Sequence, residues 1–337
     1  MGVSVLAAAL LEWRYPRMDP VALDLPGPID VRWYGLGYLI AFAAGYYIFR
    51  YLAREGFLPL DQEAVSDLIF ALIIGTILGG RIGYILFYSF PQFSDNPLRI
   101  FRIWEGGLSF HGGLLGVVIG AWWFARTHGV TLLQLGDAIS LGVPFGIVAV
   151  RLANFINGEL FGRVAGPDVP WAMRFPTDPI ALRLLGADGL AMRGREQAIE
   201  RAYESGLWAS IQDQVPLRHP SQLYEAALEG VLLGLIVWAI YAWARNREIR
   251  LPAGTYGAAF LLGYGIFRSI VELFRQPDAQ FRSPDDPLGT VLGPLTMGQT
   301  LSMIMVIIGV TLLTRSWIKG AEPNPRRPTP PAPARRK

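Results

Sequence analysis

The sequence predicts an all-α polytopic membrane protein with seven transmembrane helices and a small extracytoplasmic head insertion. Three observations predict it. Of 337 residues, 52% are hydrophobic and only 17% charged, the balance of membrane spans and not of a large soluble core. Seven apolar windows approach the ~20 residues needed to cross a hydrocarbon layer: Trp33 to Phe49, Ala64 to Phe87, Leu108 to Ala125, Leu132 to Val150, Leu223 to Trp243, Ala253 to Phe274 and Thr296 to Thr314. Glycines recur four apart, as in Gly75 and Gly79, Gly112, Gly116 and Gly120, Gly142 and Gly146, and Gly230 and Gly234. Such spacing lets helix backbones approach closely in lipid.

Five segments follow in order. Residues 1–32 hold only a short apolar run, Val3 to Leu11, before Glu12, Trp13 and Arg14; it is too short to span and lacks a small-residue cleavage pattern, so it predicts an interfacial segment and not a signal peptide. Residues 33–162 carry helices one to four. Residues 163–218 are hydrophilic, with a helical-looking run from Arg193 to Trp208, and predict the head. Residues 219–318 carry helices five to seven, the fifth opening at Pro220, where proline suits the first helical position. Residues 319–337 are basic and proline-rich and predict a disordered cytoplasmic tail.

An odd number of spans puts the termini on opposite sides. Arg50, Arg54, Arg126, Arg245, Arg247 and Arg250 fall in the connections after helices one, three and five, and the tail adds Arg315 and Lys319. This asymmetry predicts an extracytoplasmic N-terminus and a cytoplasmic C-terminus, although Arg99 and Arg102 lie in an opposing loop. The net charge of +3 fits a basic tail beside anionic lipid better than nucleic-acid binding. With no cysteine, the chain offers no thiol of its own, so any sulfur chemistry belongs to a substrate. Three histidines, His111, His128 and His219, stand far apart and give no metal-ligand spacing; no cofactor is implied.

Ionisable residues inside apolar windows are costly and mark functional sites. Arg151 opens R-L-A-N-F-I-N-G-E-L-F-G at 151–162, and Arg151 and Asn154, three apart, share a helical face, as do Asn154 and Gly158. A guanidinium fork with neighbouring amides suits a phosphate; an ion pair between Arg151 and a carboxylate is the structural alternative. Tyr264, Arg268 and Glu272 repeat every fourth position, a stripe of about 12 Å that should point into the bundle, where Arg268 and Glu272 also suit one another as an ion pair. His111 lies between Gly106-Gly107 and Gly112-Gly113, either as a proton acceptor beside exposed amides or as a helix cap. Tyr34 starts helix one at interfacial depth, and Glu225 lies inside the fifth. Arg81 and Asp137 are candidates for mutual pairing.

Together H-G-G at 111–113, the 151–162 signature, H-P-S-Q-L-Y-E at 219–225 and Y-x-x-x-R-x-x-x-E at 264–272 resemble, in this order, the prolipoprotein diacylglyceryl transferase family. R-W-Y-G-L at 32–36, Gly80-Arg81 and G-Q-T-L-S at 298–302 agree, and coverage runs from about residue 30 to 318. The chain departs at Val150, where the family pattern usually has glycine. The resemblance implies a multi-pass enzyme of the bacterial cytoplasmic (inner) membrane. It would move the diacylglyceryl group of phosphatidylglycerol onto the signal-peptide cysteine of a lipoprotein precursor and release glycerol phosphate. It implies His111, Arg151, Arg268, Tyr34 and Tyr264 as catalytic residues. Arg151, Asn154, Asn157, Glu159, Gly162, Arg268 and Glu272 would bind phosphatidylglycerol.

Other classes compete. An intramembrane serine protease would use Ser109 or Ser221 beside His111 or His219, but no nucleophile context supports it. A transporter or channel for an anionic solute is the main alternative, because buried arginines also line permeation paths; it predicts flux without a thiol acceptor. A passive scaffold leaves the polar residues without a use.

Overall fold

The computed structural model describes residues 13–25, 30–101, 107–277, 281, 286 and 288–323. In chain order they form strands β1 (Val21–Asp24) and β2 (Asp30–Arg32), then helices α1 (Trp33–Arg54), α2 (Gln62–Tyr88), α3 (Phe90–Asp95), α4 (Phe110–His128) and α5 (Leu132–Ile156). The insertion contributes α6 (Pro179–Leu184), α7 (Met192–Glu204) and α8 (Leu207–Ile211). Then come α9 (Ser221–Asn246), β3 (Ile249–Arg250), α10 (Thr255–Val271), β4 (Thr290–Leu292), β5 (Leu295–Thr296), α11 (Met297–Lys319) and β6 (Glu322–Pro323).

Five of these helices, α1, α2, α5, α9 and α11, are long and apolar enough to cross a membrane. The chain is therefore a mostly helical, multi-pass membrane protein. The other two windows, expected to span, form α4 and α10, shorter helices of 19 and 17 residues. The interfacial run Val3 to Leu11 lies outside the described residues, as does the tail beyond Pro323. Just ahead of that stretch, Glu322 and Pro323 pair antiparallel with Arg250 and Ile249.

The chain divides into two compact units, one of residues 1–40, 144–234 and 261–308 and one of residues 41–143, 235–260 and 309–337. In the second, α2 and α4 meet along their glycines. A Cβ on Gly116 would fall 1.9 Å from the Gly75 carbonyl oxygen, and one on Gly79 would fall 2.3 Å from that of Gly112. The backbones touch, so no side chain fits at these positions. Ser109 caps α4 by accepting from the Gly112 amide; His111, the second residue of the helix, is exposed, its ring edge-on to Phe110, and is not the cap. Arg81 and Asp137 do not pair. Arg81 donates to the carbonyls of Ile100 and Gly107. Asp137 accepts from the amides of Gly254 and Gly257 at 2.7 and 2.8 Å, fixing the start of α10.

The first unit holds the β1–β2 hairpin, the insertion and the candidate site. Ala181, Ala202, Trp208 and Val215 form a small core inside the insertion. At its base three chain segments cross: the Gly162 amide donates to the His219 carbonyl, the His219 amide to the Arg163 carbonyl, and the Arg163 amide to the Phe274 carbonyl. This knot joins the exit of α5, the entry of α9 and the exit of α10. A buried ion pair, Arg218 Nε to Asp178 Oδ2 at 2.8 Å, locks it.

Candidate active site

α5 runs six residues past the hydropathy window, so Arg151 and Asn154 share a helical face as expected, with Asn154 in the last turn. Arg151 Nη1 donates to Asn154 Oδ1 at 3.3 Å. The helix ends at Ile156, and Gly158, in the left-handed region at φ +65, turns the chain back. Glu159 is thereby brought under the helix end, where its Oε1 accepts from Asn154 Nδ2 at 2.9 Å and Asn157 Nδ2 at 3.1 Å. The signature thus folds into one hydrogen-bonded cluster. Gly162 serves the backbone crossing: a Cβ there would sit 2.4 Å from the Phe274 carbonyl oxygen.

α9 supplies the counter-charges. Its segment Ala226–Leu232 is π-helical, a wider turn frequent at functional sites. Glu225 and Glu229, both fully buried, lie at and within this turn and both face Arg268. Arg268 Nη1 stands 3.4 Å from Glu225 and 3.7 Å from Glu229, while Nη2 is 3.0 Å from Glu272. Glu225 Oε2 also forms an ion pair with Arg151 Nη2 at 2.6 Å, and Arg275 Nε lies 3.9 Å from Oε1. Tyr264 interacts with Glu229 and Arg268, and Thr296 donates to Glu272 at 3.1 Å. Gly298, in the G-Q-T-L-S run, leaves room for that carboxyl group, since a Cβ would meet it at 2.7 Å.

So the structure brings Arg151, Asn154, Asn157, Glu159, Tyr264, Arg268 and Glu272 into one unit around shared carboxylates. Tyr34 belongs to the same unit, half-exposed, 3.2 Å from the Tyr38 hydroxyl and within electrostatic reach of Arg151 and Glu159. His111 belongs to the other unit. Both readings of Arg151 meet here: it is ion-paired, yet its side chain retains 21% exposure against 13% for Arg268. A guanidinium has five N–H donors, so pairing does not exhaust it. Arg151 is the more accessible of the two guanidiniums.

Glu229, Gln222 and Arg275 were not singled out from the sequence. Glu229 had a signal, a second carboxylate four residues after Glu225 within an apolar run. Gln222, fully buried, donates to the Glu159 carbonyl at 2.6 Å, and Ser221 donates to that of Leu160 at 3.0 Å. The H-P-S-Q-L-Y-E motif therefore grips the signature turn by its backbone. Beside it Val169, Trp171, His219, Tyr224, Leu228 and Phe274 line an apolar cavity of about 290 Å³. In its wall Trp171 donates to the Tyr224 hydroxyl at 2.6 Å.

Two arginines drawn onto fully buried glutamates within a multi-pass helical protein are a costly arrangement, of the kind that marks a functional site in a membrane protein. Comparison with known proteins gives the family. The family model described as prolipoprotein diacylglyceryl transferase matches residues 20–315. A phosphatidylglycerol–prolipoprotein diacylglyceryl transferase of Legionella pneumophila is 44% identical over 299 residues, covering 88% of this chain and 97% of the relative. The same-named proteins of Neisseria meningitidis (41%, covering 90% of this chain and 98% of the relative) and Yersinia enterocolitica (42%, covering 91% and 97%) agree. The chain belongs to the prolipoprotein diacylglyceryl transferase family and is a transferase, which favours transfer over the transport alternative.

Proposed function

We propose that the chain transfers the diacylglyceryl group of phosphatidylglycerol to the cysteine thiol of a lipoprotein precursor. The convergence of Arg151 and Arg268 on Glu225 carries this reading. A sulfur–carbon bond forms at the lipid's glycerol backbone as the carbon–oxygen bond to phosphate breaks. The electron pair leaves on the phosphate oxygen, and glycerol phosphate departs. Cations already fixed by buried carboxylates meet that charge without reorganising, which is where electrostatic catalysis gains most. Arg151 contacts the phosphate first and Arg268 stabilises the leaving oxygen. Asn154, Asn157, Glu159 and Glu272 orient the headgroup, Gly162 contributes the backbone crossing that holds them, and Tyr34 and Tyr264 line the site.

A thiol with a reference pKa of ~8.5 is mostly protonated at neutral pH, so the attacking sulfur must lose a proton. His111 is the proposed acceptor, on the strength of its H-G-G motif and its exposed ring. Replacement of His111 by Gln should lower turnover and change its dependence on pH; an unchanged profile removes it from this role.

The same reading has seven spans. α4 and α10, at about 28 and 26 Å for 1.5 Å per residue, nearly match the ~30 Å hydrocarbon core and join the five longer helices. The N-terminus and the 163–218 head then lie outside the cytoplasm and the basic tail inside. Because the chain has no cysteine, single introduced cysteines tested with an impermeant thiol reagent read this topology directly.

The deciding experiment incubates purified protein with phosphatidylglycerol and a signal-bearing cysteine peptide. Mass spectrometry should show a diacylglyceryl increment on cysteine and released glycerol phosphate. Arg151→Ala should abolish both while the protein remains folded in membranes. Wild-type transfer by that variant discards the assignment.

A further inference from the structure

The sequence predicts only an interfacial element ahead of α1, and the family match begins after Tyr15. Tyr15 is nevertheless built into the signature turn. Its hydroxyl lies 2.7 Å from the Phe155 carbonyl oxygen and 2.9 Å from that of Ile156. These belong to the last turn of α5, whose carbonyls have no partner within the helix. The ring packs against Phe155 and Phe175, with centroids 5.4 and 4.8 Å away. Burial holds the phenol well above its ordinary range, so it stays a donor. Thr177 donates to the Gly158 carbonyl. Gly158 has no room for a side chain, because a Cβ would meet the Thr177 hydroxyl at 2.7 Å and that of Tyr15 at 3.2 Å. The turn so clamped is the one that aims Asn157 and Glu159.

The segment is itself fastened to the insertion. The Trp13 amide donates to the Pro170 carbonyl at 3.3 Å. Arg17 pairs with Glu200, and Arg32 forks onto Glu196 at 2.7 and 2.9 Å. Arg193 reaches Asp30 at 2.8 Å. Glu196 and Glu200 are four apart on α7 and so share one face, which is the face that the segment crosses.

We propose that residues 13–25 and 30–32 act as a strap, pinned by Glu196 and Glu200 of the insertion, and that the Tyr15 hydroxyl positions the Asn157–Gly158–Glu159 turn for the lipid headgroup. Tyr15 is a positioning residue and touches no substrate. The proposal rests on the reading of that turn as a headgroup site and gives the insertion a part in the reaction.

Tyr15→Phe removes the hydroxyl and keeps the ring. In the full-length protein it should raise KM for phosphatidylglycerol roughly fivefold, the equivalent of one ordinary hydrogen bond, and leave kcat and the KM for a precursor peptide within about twofold. A purely structural role would reduce the amount of active enzyme, and thus apparent kcat, without moving KM. Glu196→Ala and Arg32→Ala should each raise the same KM about threefold, and the double variant no further than either, as for one coupled pair. Hydrogen exchange at the amides of residues 157–159 should quicken in Tyr15→Phe with no substrate present. Unchanged exchange overturns the strap itself. Quickened exchange with an unchanged lipid KM overturns the proposal at its other end, the placing of the headgroup at this turn.

Discussion

Arg151 and Arg268, on different helices, meet at a single oxygen: Oε2 of Glu225 lies 2.6 Å from one guanidinium and 3.4 Å from the other. That oxygen sets the spacing of the two cations and is itself fully buried. Two guanidiniums held together without it would repel in a medium where charges are weakly screened. The spacing of the two guanidiniums is therefore a property of α9, not of either helix that carries an arginine.

Glu225→Gln keeps the shape and removes the charge. Breaking a buried pair by deleting one partner costs about 3–5 kcal/mol, so the arginines should shift and transfer should fall by about 10²-fold, the range seen when one transition-state donor is lost. Turnover of the purified variant with phosphatidylglycerol and peptide checks this. Activity near wild type would show that the arginines hold their positions without it.

Arg268→Lys is a harsher test than its conservatism suggests. Arg268 faces Glu225, Glu229 and Glu272 from two nitrogens of a planar fork, whereas an ammonium is one point charge on a flexible stem. We expect at least a tenfold loss in kcat/KM, measured against a normal melting temperature. Full retention would reduce Arg268 to a counter-ion.

Gly116→Ala addresses the α2–α4 seam. The added Cβ would fall 1.9 Å from the Gly75 carbonyl oxygen, which is backbone and cannot swing aside. Helices must separate, at about 1–3 kcal/mol or more for overpacking. A lowered melting temperature and faster proteolysis in detergent are the expected readouts; wild-type melting would mean that the seam is looser than these distances.

His219 gives a pH dependence. Burial pushes its imidazole below the ordinary value, so the unfolded chain takes up this proton before the folded one does. The neutral ring's contribution to stability is full above about pH 6.5. It is lost as pH falls through that value toward the folded-state pKa. Melting temperature followed between about pH 5.5 and 7.5 should show this decline, and His219→Gln should flatten it. An equal slope in the variant would assign the decline to other groups.

Much of the site could be read in advance, for a physical reason. Charged and amide side chains are costly among apolar residues, so Arg151, Asn154, Arg268 and Glu272 stood out by location alone, and helical periodicity placed Tyr264, Arg268 and Glu272 on one stripe. Helix boundaries were less legible. Hydropathy ended the fourth window at Val150 because Arg151 follows, yet α5 continues to Ile156, its arginine neutralised by a carboxylate from another helix. Arg81 and Asp137, candidates for mutual pairing, instead each bond to backbone groups, which hydropathy does not register.

The sequence by itself determined that the chain is helical and membrane-bound, which residues are too polar for their surroundings, and, through its motifs, its family. Apolar length and misplaced charge are local properties and survive in one dimension. Only the tertiary structure decided that Glu225 joins two arginines, that Gly162 and Gly298 are glycine to leave room for a carbonyl and a carboxyl group, and that Tyr15 closes the signature turn. Those are relations between segments far apart in the chain, fixed by packing distances of a few ångströms that no spacing within one segment encodes.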